Sequence, residues 1–176
     1  LLASGTWPVC YGPSAPAIIL NPDFECGFSD QWSFSVNGNT AAANYSDAQA
    51  ASNTGNVGGK VEVTTAHAYN KVLLSNNVYT EDLTGKVITM NGYIKALGDQ
   101  QSMKIRVKYS IGETVFYSVS SALELADGSL VGADYELKEF EFDVPDNVES
   151  VQVQLMLGQF EGTYLIDSFS VTITDT

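Results

Sequence analysis

Positive charge is scarce in this chain: eight Lys and Arg stand against 21 Asp and Glu among 176 residues, a net charge of −13 with histidine neutral. A polyphosphate backbone would be repelled over most of such a surface, which argues against nucleic acid as a partner. Long apolar runs are also missing. The longest, residues 17–20, falls far short of the roughly 18 to 20 residues that a membrane-spanning helix needs, so no membrane span is expected. Histidine occurs once, at His67, which leaves Ser-His-Asp or Cys-His catalysis with a single candidate base and no supporting motif. The only cysteines are Cys10 and Cys26, without Cys-x-x-Cys spacing or a second His, which speaks against zinc. They are compatible with one disulfide, contributing about 3 kcal/mol for a loop of about 15 residues, or with two free thiols. Internal repeats and convincing amphipathic helices are absent as well, as are low-complexity tracts outside residues 38–59, which are rich in Asn, Ala, Ser and Gly.

What remains is a chain that is 44% hydrophobic and long enough to bury one core without external staples. Residues 1–17 hold Gly5, Pro8, Gly12, Pro13 and Pro16, which resist both helix and central strand, and read as a leader or linker. Residues 18–176 read as one domain. No Met opens the sequence, so we expect a segment of a longer, secreted or cell-surface precursor whose signal peptide has been removed. The acidity keeps such a protein soluble and supplies carboxylates for a hard cation.

Within the domain, apolar and polar residues alternate with period two, the signature of strands with one core face and one wet face. Ile88, Met90, Ile94 and Ala96 oppose Thr89, Asn91, Tyr93 and Lys95. In the same way Ile105, Val107 and Tyr109 oppose Lys104, Arg106 and Lys108, and Val151, Val153, Leu155 and Leu157 oppose Gln152, Gln154 and Met156. Further strands are expected over residues 60–64, 70–74, 114–120, 137–144 and 164–174, with 38–59 a connecting loop holding at most one short strand. Eight to ten short strands predict an all-β fold, a β-sandwich of two antiparallel sheets with jelly-roll topology, because two apolar faces must cover each other.

Two stretches at opposite ends carry a likeness. Asn21, Pro22, Asp23, Phe24, Glu25, Cys26 and Gly27, followed by Trp32, resemble the Asn-x-x-Phe-Glu-x-Gly…Trp opening of carbohydrate-binding modules of families 4, 9 and 22. The stretch Tyr164, Leu165, Ile166, Asp167, Ser168 and Phe169 is similar to their closing strand. Between them, Gly58, Gly59, Lys60 and Val61 resemble the family's glycine-led second strand. The likeness spans about residues 18–174 and is strongest to family 4, of the type attached to xylanases and glucanases.

That resemblance implies a noncatalytic, monomeric module that holds a single β-linked polysaccharide chain in a cleft, xylan first and β-glucan second, and targets an attached glycoside hydrolase. It also implies a structural calcium ion held by Glu25, Asp167 and the backbone oxygen of Lys60. Elementary chemistry agrees on the ion, since two adjacent carboxylates repel and calcium takes about six to eight oxygen ligands. Trp32 matches the family's framework tryptophan and is expected in the core.

Sugar recognition needs flat aromatic faces for the C–H surface of a pyranose and amides or charges for its hydroxyls. The wet strand faces supply Tyr93, Arg106 and Gln154. By the resemblance, stacking aromatics belong at Tyr69 and at Phe116 or Tyr117. The glycine-flanked tip with Gln159 and Phe160 either reaches over the groove or forms a plain hairpin. Two other readings stay open: a jelly-roll glycoside hydrolase using the alternating carboxylates Glu141 and Asp143, and a structural or adhesion sandwich.

Overall fold

The protein is described by a computed structural model covering residues 24, 26, 32–36, 42–48, 58–68, 71–78, 83–97, 101–125 and 135–176. The expected leader, Cys10, Glu25 and Tyr69 lie outside the described residues.

Among the described residues, eleven strands follow one another: β1 (Ser33–Val36), β2 (Ala42–Ala48), β3 (Gly58–Thr65), β4 (Val72–Val78), β5 (Lys86–Leu97), β6 (Gln101–Ile111), β7 (Thr114–Val119), β8 (Leu123–Leu125), β9 (Glu136–Asp143), β10 (Ser150–Leu157) and β11 (Gly162–Asp175). They form two sheets. The first has the order β1-β4-β10-β6-β7, with β8 pairing the start of β6; the second has the order β2-β3-β11-β5-β9. Every pairing is antiparallel. Because the chain crosses repeatedly from one sheet to the other, sequence neighbours are rarely sheet neighbours, and the result is a jelly-roll β-sandwich.

The alternation read from the sequence decides which face goes in. On β5, Ile88, Met90, Ile94 and Ala96 are buried while Thr89, Asn91, Tyr93 and Lys95 are partly exposed. Val151, Val153, Leu155 and Leu157 of β10 meet this layer from the other sheet in one continuous core. Burying a side chain of this size stabilises by about 1.5–3 kcal/mol, which fixes the register against a one-residue slip that would expose every one of them.

Trp32 is a core residue, as expected, 1% exposed and stacked on Phe24 at 4.9 Å between ring centroids. Its edge meets Phe169 at 5.5 Å. Phe169 in turn needs Gly92 beneath it: a Cβ there would come within 2.7 Å of the Phe169 ring. The pairing of β11 with β5 slips between Asp167 and Ser170, and Ser168 takes a left-handed φ of 51° in this bulge.

Tyr164 ties the sheets together. Its buried hydroxyl accepts from the Gly158 N–H at 3.1 Å and lies 2.6 Å from the Ser102 carbonyl and 2.8 Å from Gln101 Oε1. Burial pushes this phenol well above its ordinary pKa, so it stays a neutral donor. Cys26 is disulfide-bonded, and Cys10 is the one other cysteine in the sequence. Among the described residues, no helix is long and apolar enough to cross a membrane.

Candidate functional site

Residues on β6, β10 and β4 that alternate with the core point away from it, and the register lines them up across the first sheet. Arg106 lies opposite Gln154, which lies opposite Ser75; Lys108 lies opposite Gln152, which lies opposite Asn77. Hydrogen bonds run along this face. Arg106 Nε donates to Gln154 Oε1 at 2.6 Å, Gln154 Nε2 donates to Gln152 Oε1 at 2.7 Å, and Gln152 Nε2 donates to Asn77 Oδ1 at 3.1 Å. Each amide is thereby fixed in orientation and keeps one lone pair and one proton beyond the bonds of this row. Gln154, at the centre, is 5% exposed despite its place on the outer face.

The edge strand β7 supplies an apolar wall. Val115, Tyr117 and Val119 pair with Ser110, Lys108 and Arg106, so all three share the outer face with the amide row, and all three are exposed. The Arg106 guanidinium sits over the Tyr117 ring at 4.5 Å. Burial holds that guanidinium below its ordinary pKa, and the Tyr117 hydroxyl offsets part of the effect; Arg remains charged. Beside them a cavity of about 180 Å³ is lined by Asn77, Lys108, Ser110, Val115, Ser150 and Gln152 together with Tyr109 and Val151. An exposed ring, an oriented guanidinium and a ladder of amides next to a depression can cover a flat, hydroxylated ring and bond its hydroxyls.

Of the residues expected at a glycan site, Arg106, Gln154 and Tyr117 come together here. Phe116 does not. It pairs with Tyr109 on the inner side, stacks on that ring at 5.4 Å, and Tyr109 packs on Phe142 at 5.0 Å, so Phe116 closes the edge of the sandwich. The alternation of β7 alone left open which of the two aromatics faces out; its register with β6 decides it.

Tyr93 also lies elsewhere, on the outer face of the second sheet between Asp167 and Leu137. Gln159 and Phe160 belong to the β10–β11 connection, which is pinned at the far end of β6: Ser102 Oγ bonds Gln159 Oε1, and Gln101 Nε2 donates to the Phe160 carbonyl at 3.0 Å. Ser102 is the outward position next before Lys104, so this tip borders the amide face at its end. Tyr69 lies outside the described residues, while His67 N donates to the Gly158 carbonyl at 2.9 Å and is therefore close to the same tip.

Sequence reasoning missed Asn77, Lys104 and Lys108 as site residues. The signal for the two lysines was present in the alternation of β6, but Asn77 joins only through the pairing of β4 with β10.

Glu141 and Asp143, the alternative catalytic pair, are exposed on β9 at the edge of the second sheet, opposite Thr89 and Val87. They face away from the Tyr117 surface.

Asp167 is fully buried at the β11 bulge, where its Oδ1 accepts from the Ser168 N–H at 2.7 Å. Near it, the Tyr135 hydroxyl is pushed up to about 12, first by burial and then by the Asp167 carboxylate. Phe24 is linked to this bulge through Trp32, which stacks on it and meets Phe169 edge-on. Lys60 pairs with Leu165 on one side and Ser46 on the other, and its side chain bonds Glu62 at 2.8 Å.

By sequence, the chain matches no family model and no curated protein. By structure it is similar to the CBM22-1 xylan-binding domain from Paenibacillus barcinonensis, at 16% identity and a TM-score of 0.65 over 88% of this chain and 92% of that one. The CBM22-1–GH10 modules of Clostridium thermocellum endo-1,4-beta-D-xylanase 10B, solved with xylohexaose, are similar at 14% identity and a TM-score of 0.67, over 86% of this chain and 27% of that one. A CBM4 structure matches at 16% identity and a TM-score of 0.64, over 90% and 100%. Similarity to CBM22 and to CBM4 is equal within these values, and the chain shares the β-sandwich fold of both.

Proposed function

We propose that the protein is a noncatalytic carbohydrate-binding module that holds one β-linked polysaccharide chain against the outer face of the first sheet. The observation that carries this reading is the hydrogen-bonded row Arg106–Gln154–Gln152–Asn77 running beside the exposed Tyr117 ring. Tyr117 stacks on a pyranose face; Arg106 and the amides bond its hydroxyls; Gln159 and Phe160 bound the site at one end. Xylan is the first ligand and β-glucan the second, in keeping with the xylan-binding domain whose fold the chain shares. Such a module works by tethering, outside the cell, an attached glycoside hydrolase to its substrate and raising the local concentration of each for the other.

A calcium ion completes the reading. Asp167, fully buried at the bulge, and Glu25, which follows the stacked Phe24 in sequence, would supply carboxylates, and the Lys60 carbonyl on the neighbouring strand a neutral oxygen. A buried carboxylate is costly to ionise unless a charge or several donors compensate it. The ion holds the two ends of the domain together and takes no part in sugar recognition.

Affinity electrophoresis against xylan, mixed-linkage glucan, mannan and cellulose tests the function. Retardation by xylan is expected, and Tyr117→Ala is expected to lose about tenfold in affinity or more, an aromatic stack on a partly desolvated ring exceeding about 1.4 kcal/mol. Since Tyr117 is 52% exposed, its melting temperature should stay within about 2 °C of the parent. Absence of retardation by every polysaccharide would remove the proposal.

A further inference from the structure

The outer face of the first sheet carries a charge pattern that neutral sugars do not explain. Lys104, Arg106 and Lys108 occupy three successive outward positions of β6, so three of the chain's eight basic residues stand in one row of a protein with a net charge of −13. Alternate residues of a strand lie about 7 Å apart, close enough for like charges to repel. Among the described residues none of the three makes an ion pair, although 21 carboxylates are available in the chain. Glu124, opposite Ser102 at the end of the row, is the one carboxylate at an outward position on the described strands of this sheet. Arg106 is engaged by neutral groups only, through Nε to Gln154 and through its face to Tyr117, and its two terminal nitrogens donate to no described residue. That leaves the fork of the guanidinium free for a planar, bidentate acceptor.

Resting on the proposed glycan-binding role of this face, we infer that its ligand is a polysaccharide bearing carboxylates, a glycan with uronic acid units. Arg106 takes a uronate carboxylate in fork geometry, Lys104 and Lys108 receive its neighbours or the carboxylate's second approach, and the amide row bonds the sugar hydroxyls. The negative charge elsewhere on the molecule repels such a polymer and so confines it to this strip, which sets orientation as well as affinity.

The experiment compares a glucuronic acid-substituted xylan, the same xylan after its carboxyls have been reduced to alcohols, and polygalacturonate, each by affinity electrophoresis and calorimetry. Tighter binding of the substituted xylan, by about tenfold for two or three partly exposed charge contacts, supports the inference with uronates as side groups. Binding of polygalacturonate with none of the reduced xylan supports it with uronates in the backbone. In either case added NaCl should erode the preference. The double variant Lys104→Gln/Lys108→Gln should abolish it while its melting temperature shows that it folds. Equal affinity for native and reduced xylan, unchanged by salt or by the double variant, overturns the charged-ligand inference and leaves glycan binding intact. No binding to any of the three, together with none to the neutral panel, overturns both.

Discussion

Gln154 shows how a polar side chain becomes a fixed part of a binding face. It sits on an outward position, yet it is 5% exposed, and it accepts from Arg106 on one side and donates to Gln152 on the other. Removing it leaves the Arg106 Nε proton and the Gln152 oxygen without their partner in a half-dry site, and an unmet buried donor costs about 1–3 kcal/mol. Gln154→Leu is therefore expected to lower unfolding free energy by that amount in urea titrations and to weaken glycan binding through a misplaced Arg106. Asn77→Ala, which removes only the exposed bond from Gln152, should cost under about 1 kcal/mol. The opposite order would mean that the row is not ordered as described. Arg106 and Gln154 were legible as site residues because each opposes core aliphatics one position away. Phe116 was not separable from Tyr117, because both lie on a strand whose six residues are nearly all exposed, so burial periodicity carries no signal there.

At the scale of elements, the connection between β10 and β11 carries two demands at once: it turns the chain from one sheet to the other, and it packs against β4. Gly158 meets both. Its φ of 93° is one that L side chains rarely adopt, and a Cβ would lie 2.9 Å from Val72 Cγ2. Its N–H also holds the Tyr164 hydroxyl. Gly158→Ala is expected to cost about 2 kcal/mol or more, combining backbone strain with overpacking. Gly112, in the β6–β7 turn at φ 57°, has nothing within 4 Å of its would-be Cβ, and Gly112→Ala should cost only about 1 kcal/mol. Thermal unfolding of the two variants side by side checks the difference. Strand by strand, alternation located β5, β6, β10 and β11 to within a few residues, since long strands repeat the pattern enough times to be read. It missed β1 and β8, of four and three residues, and reduced β2 to at most a short strand inside a loop. Strands that short owe their existence to partners distant in sequence, such as β4 for β1 and β6 for β8.

For the whole molecule, the central question is what closes the sandwich where the start of the domain meets its last strand. There β11 pairs with both β3 and β5, and the rings of Phe24, Trp32 and Phe169 add a shared apolar plug. A fully buried Asp167 in the middle of this joint would weaken it if its charge were uncompensated, which is why the proposed calcium bears on global stability rather than on ligand affinity. An ion present at about 100 times its dissociation constant stabilises the native state by about 2.7 kcal/mol. For a domain of this length about 1 kcal/mol moves the melting temperature by about 2–4 °C, so a chelator should lower it by about 5–10 °C and added calcium should restore it. Asp167→Asn should abolish that response, with the variant melting near the chelated parent, while retardation by xylan at low temperature persists in all three samples. A melting temperature indifferent to chelator and to calcium would leave the plug and the strand pairing as the whole of the closure, and would turn Asp167 into an ordinary buried carboxylate satisfied by backbone donors such as the Ser168 N–H.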